Sequence, residues 1–157
     1  MNRTYLLAGL AGGLVAGLLD IVFAISFAAW NGTAPVRLLQ IVASGLVGNA
    51  ALSGGAGTAA LGLLVHFGLS IAWAGLFLAL TTVRPAIALH PYLSGIAFGV
   101  VVFLVMRVVV LPLSAFPFPV TFKPLATTPD LLSHMLLFGV PIALAARWAA
   151  GRPVALA

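Results

Sequence analysis

The chain contains no cysteine and only two acidic side chains, Asp20 and Asp130. Without a thiol, structural disulfides, thiolate metal ligands, iron–sulfur clusters and dithiol redox chemistry are excluded. Charge of either sign is scarce: seven Lys or Arg and two Asp make up 6% of 157 residues, against 63% hydrophobic. Soluble globular domains carry about 25% charged residues, and a surface so poor in charge cannot keep a domain dispersed in water. Disorder fails for the opposite reason, because disordered chains are polar. The composition leaves an all-α polytopic membrane protein, one transmembrane domain over residues 1–157.

The net charge is +5. The basic residues are scattered without a run, whereas a nucleic-acid surface needs them clustered. No nucleic acid is expected as a partner. In a membrane chain the same excess sets orientation and meets anionic headgroups.

Four stretches meet the length rule for about 30 Å of hydrocarbon: residues 5–30, 58–80, 92–111 and 130–148. A cleaved signal peptide is the alternative for the first, since Arg3 precedes it and Ser26-Phe27-Ala28 resembles a cleavage site. The apolar run exceeds the usual 7–15 residues and contains Asp20, which favours a retained span. Proline at 141 should kink the fourth span or open a carbonyl within it. Arg3, Arg84, Arg147 and Arg152 fall on one side and Arg37 and Lys123 on the other, which places both termini in the cytoplasm.

The connections are unequal. A short turn around Arg84-Pro85 joins the second and third spans, and two long links share the opposite face. In the first long link, Thr33-Ala34-Pro35 reads as a helix start. Arg37, Gln40 and Ser44 then form one polar stripe on a short interfacial or re-entrant helix. The second link, Pro112 to Pro129, carries five prolines with Phe116, Phe118 and Phe122 and is expected to be extended. Each half thus holds a charged span, a long outer link and a histidine-bearing span, the layout of a two-hairpin repeat.

Intramembrane ionisable groups are costly, so they face the bundle interior and pair. At 1.5 Å per residue from the outer ends, His134 and Arg107 lie roughly 6 Å inside, His66 about 12 Å and Asp20 about 15 Å. All four fall in one half of the bilayer, whichever way the chain is inserted. Matching depth pairs Asp20 with His66 and Arg107 with His134, and Arg37, Gln40 and Ser44 could close over them as a lid. Each has a plainer role: Arg107 can snorkel to headgroups, His134 can meet interfacial water, and His66 can bond a carbonyl. The Gly9, Gly13, Gly17 and Gly95, Gly99 spacings serve close helix packing.

Several features occur in a recognisable order: Asp20 in a glycine-rich first span, Pro35-Val36-Arg37-Leu38-Leu39-Gln40 with Ser44-Gly45, and His66-Phe67. Val109-Val110-Leu111-Pro112-Leu113-Ser114 and His134 with Gly139-Val140-Pro141-Ile142-Ala143 come next. Together they resemble small uncharacterised bacterial inner-membrane proteins with four predicted spans. The resemblance implies that topology and the inner membrane, and it implies no activity.

Three functions are compatible with these residues. The first is a binding or accessory subunit whose outer polar pocket holds a lipid, small molecule or partner helix. The second is a small proton-coupled transporter using an Asp/His pair. The third is a b-type haem protein with His66 and His134 as axial ligands, which their unequal depths disfavour. No serine is placed with a base and an orienting acid, so hydrolase chemistry is not expected. No catalytic residue, metal or cofactor is expected. The expected partners are membrane lipids and another membrane protein, or a second copy through the glycine-rich faces.

Overall fold

A computed structural model describes residues 3–151, so Arg152 lies outside the described residues. The described chain is helical, with no strand. The helices are α1 (Arg3–Trp30), α2 (Pro35–Val47), α3 (Gly55–Val83), the short α4 (Ala86–Leu89), α5 (Pro91–Leu113) and α6 (Pro124–Ala150). A 3-10 segment, Gly48–Ser53, extends α2. Proline occupies the first turn of α2, α5 and α6, where its missing N–H has no intrahelical partner to lose.

Among the described residues five helical stretches are long and apolar enough to cross a membrane, not the four expected. The addition is Pro35–Ser53, in which the 3-10 segment lengthens the short helix to 19 residues. Its neighbours constrain how it runs. Cβ atoms built on Gly13 and Gly17 would meet Ile71 and Ser70, while Gly9 faces Leu78, so α1 and α3 are antiparallel. The segment between them therefore leaves and rejoins the same end of the bundle. Gly32, at φ 82°, turns the chain out of α1, and Gly48, at φ 63°, ends α2.

That loop-rich end is stitched by the polar stripe. Arg37 Nη1 donates to the Leu52 carbonyl at 2.9 Å and Gln40 Nε2 to the Gly55 carbonyl at 3.1 Å. The Ser44 hydroxyl donates to the Ile41 carbonyl at 2.7 Å. Arg37 and Gln40 thus tie α2 to the segment that follows it, Ser44 bonds within its own helix, and the Gly45 carbonyl accepts from the Ala115 N–H at 3.0 Å.

The second link is extended only over residues 114–123. Leu111 to Leu113 remain helical, and α6 begins at Pro124, six residues before its expected start. Proline disfavours helix at the residue before it, and Lys123 is indeed extended, but Pro124 itself opens the helix. Pro129 sits inside α6, where it removes a single backbone donor. The two halves therefore share an antiparallel hairpin, α1/α3 and α5/α6, while their links differ.

The interior is built of small side chains. Ala8, Ala16, Ala74, Ala143, Ala146 and Ala149 pack around Phe77, Leu78, Phe98, Val102 and Ile142. The leucines of α1 lie outside: Leu6, Leu10, Leu14 and Leu18 are about half exposed, a surface suited to hydrocarbon. In such a solvent apolar burial drives nothing, and close backbone approach supplies the packing. Gly95 lies against Gly139 and Val140, and Gly99 against His134 and Met135, so the glycine faces are occupied within the chain.

Candidate functional site

The polar groups gather where α1, α5 and α6 meet near the loop-rich end. Asp20 is one of six buried polar residues among the described residues. Its Oδ1 accepts a 2.6 Å hydrogen bond from the Ser133 hydroxyl, and His134 Nδ1 stands 3.9 Å away. One turn of α6 toward the loops, Asp130 Oδ2 accepts from Arg107 Nη2 at 2.9 Å. Asp130 Oδ1 lies 3.3 Å from His134 Nδ1. The Arg107 Nη1 group donates to the Thr121 carbonyl at 2.7 Å, tying the extended link to the site.

His134 Nδ1 is 2.9 Å from the Asp130 carbonyl. A carbonyl can only accept, so Nδ1 carries a proton, and in the neutral tautomer Nε2 is then the acceptor. The same logic gives His66 the other tautomer, since its Nε2 is 2.8 Å from the Gly17 carbonyl. Aromatic rings frame the ions. Phe103 packs edge-on to His134 and under the Arg107 guanidinium, which also faces Phe122.

Local backbone irregularity positions both basic residues. Met106–Val110 and His134–Gly139 are π turns, and each ends two residues before a proline, Pro112 and Pro141. A proline clashes with the carbonyl four residues earlier, which here belongs to Val108 and Leu137. Widening the preceding turn relieves that clash. Arg107 lies in the first of these turns and His134 opens the second. Gly99 on α5 has no side chain to obstruct the bulge at His134.

Asp20, His66 and His134 line one cavity of about 60 Å³, with Ser70, Trp73, Met106 and Phe138 among its other walls. Arg107 lies beside it, behind Asp130. The expected pairs are not the ones formed. Asp20 is bonded to Ser133, His66 to Gly17, and Arg107 and His134 both converge on Asp130. Arg37, Gln40 and Ser44 do not line the cavity: Arg37 and Gln40 bond the carbonyls of Leu52 and Gly55, and Ser44 bonds a carbonyl of its own helix. Depth alone predicts level, whereas the azimuth around each helix decides the partner.

Asp130 and Ser133 are not among the site residues expected from the sequence, because span length places residue 130 at an outer end. Their signal is nonetheless present: Asp130 is one of two acids in the chain, spaced i, i+4 from His134. The Thr121 carbonyl leaves no sequence signal.

Among the described residues no three acidic or histidine side chains form a metal-binding group. A haem between His66 and His134 does not fit, since the cavity is far below the roughly 300 Å³ of even a small cofactor pocket. No family model, curated protein or solved structure matches the chain.

Proposed function

We propose that this is an integral membrane protein of the binding or accessory kind, whose Asp20-centred site takes a small cationic or hydrogen-bond-donating group. The group belongs to a lipid, a small molecule or a partner helix. One observation carries the reading: the buried Asp20 carboxyl lines the cavity, is hydrogen-bonded to the Ser133 hydroxyl, and has no ionic partner closer than the His134 ring nitrogen at 3.9 Å among the described residues. An uncompensated buried charge is strongly unfavourable, and a bound donor or cation relieves it. The cavity beside Asp20 offers that carboxylate, two imidazoles and the Trp73 ring to a group of a few heavy atoms. The proposed location is the bacterial inner membrane, with both termini cytoplasmic.

The test is thermal unfolding of the purified protein in neutral detergent, titrated with methylammonium. Stabilisation of the wild type that is lost in Asp20→Asn supports the site. Equal stabilisation of both proteins, or none of either, removes it.

A second reading, proton-coupled transport, is favoured by the size of the same cavity. A water needs about 10–15 Å³ of such volume, so about 60 Å³ holds a short chain of waters between Asp20, His66 and His134. Proton flux into liposomes that Asp20→Asn abolishes would establish this alternative. Wild-type vesicles as tight as empty ones would eliminate it.

A further inference from the structure

The link 114–123 and the ends of α5 and α6 enclose a second pocket, separate from the Asp20 cavity and three times its volume, about 180 Å³ against about 60 Å³. Its walls include Arg107, Phe116, Thr121, Lys123 and Ala126. Two cations on one small pocket need a source of negative charge. Asp130 neutralises Arg107 from the other side at 2.9 Å and does not itself line the pocket. Lys123 has no ion-pair partner among the described residues. The pocket therefore keeps a net charge of +1.

Its donors suit an oxyanion. A guanidinium has five N–H groups, and Arg107 uses one toward Thr121 and one toward Asp130. The others, with the three donors of the Lys123 ammonium, remain for an anion of several oxygens. Lys123 directly precedes α6, a helix of 27 residues, and Ala126 belongs to its first turn. The positive end of that helix adds to the field in the pocket. Level also matters: the pocket sits where α5 ends and α6 begins and is lined by Phe116, with Phe118 against that ring and Phe122 against Arg107, the aromatic zone expected at headgroup depth.

The geometry points to an anion site at Arg107 and Lys123 that binds a singly charged phosphate group, from a phospholipid headgroup or a free phosphate. The site is independent of what occupies the Asp20 cavity, and it joins that cluster only through the Arg107–Asp130 pair. A phosphate there holds the link 114–123 against the bundle, because its contacts come from both the link and α5.

The experiment uses the full chain, delipidated in neutral detergent. It is then placed in mixed micelles of equal phosphatidylglycerol and phosphatidylcholine, with retained lipid counted by native mass spectrometry. In parallel, inorganic phosphate is titrated against thermal unfolding. One phosphatidylglycerol per chain is expected, with preference falling about fivefold in Lys123→Gln and preserved in Lys123→Arg. Arg84→Gln, at the opposite end of the bundle, should leave it unchanged. Stabilisation by inorganic phosphate with the same dependence on Lys123, without lipid retention, identifies a soluble phosphate as the source. Neither response, or equal responses in wild type and Lys123→Gln, overturns the site, as does an equal loss in Arg84→Gln. Unliganded melting temperatures of the variants matching wild type exclude misfolding as the cause.

Discussion

Removing the Ser133 hydroxyl tests whether Asp20 is held by α6 or by α3. In the structure Ser133 donates to Asp20 Oδ1 at 2.6 Å within the interior, whereas His66 is engaged by the Gly17 carbonyl. Hydrogen bonds to charged groups contribute about 1.5–3 kcal/mol in soluble proteins. Couplings between membrane helices are smaller, about 0.6 kcal/mol on average and about 1.7 at most, because the unfolded chain finds other partners in the bilayer. A short, buried, charge-assisted bond belongs at the upper end. The expected Asp20–Ser133 coupling is therefore about 1–1.7 kcal/mol, a factor of about 5–20 in the unfolding constant. The assay is a double-mutant cycle on Asp20→Asn and Ser133→Ala, read by reversible unfolding in mixed detergent micelles. A matching cycle on Asp20→Asn and His66→Ala should give less than about 0.5 kcal/mol. A larger coupling to His66 than to Ser133 would refute this account of the site.

Gly13→Ala should destabilise by about 1–3 kcal/mol, because its Cβ would stand 2.7 Å from the Ile71 Cα and neither backbone can yield cheaply. Gly68→Ala, with open space around it, should be neutral or stabilising by up to about 1 kcal/mol in the same unfolding assay. Arg107→Lys keeps the charge but cannot bridge Thr121 and Asp130 as a rigid fork, so hydrogen exchange over residues 114–123 should rise while the α1/α3 pair stays protected. An unchanged exchange pattern would show that the link is held by other contacts. A reporter fused after Trp148 should be active only in the cytoplasm and one inserted at Lys123 only outside; the reverse result at both positions would invert the orientation.

The spans were legible because long apolar runs are a one-dimensional property: α1, α3, α5 and α6 each contain the stretch that the sequence marks. Their ends were less so. Helix α6 begins at Pro124 because a proline can both terminate one segment and open the next, and composition does not say which. The count of five rather than four turned on Gly48–Ser53, a 3-10 segment whose small residues carry no periodic signal. Pro141 announced an irregular turn in α6, while the equivalent role of Pro112 was hidden by its position at a span end.

What the sequence determined by itself is the helical class and the long apolar stretches within α1, α3, α5 and α6, since both depend on hydrophobicity along the chain. The tertiary structure alone decided who meets whom. Glycine contacts set the rotation of α1 against α3 and of α5 against α6, and that rotation turned Asp20 toward Ser133 and brought Arg107 and His134 to Asp130. It also left His66 on a backbone carbonyl and Lys123 on an open pocket. Depth is additive along a chain, but azimuth depends on how every neighbouring helix packs. A partner in an interior this closely spaced is chosen by angle as much as by level.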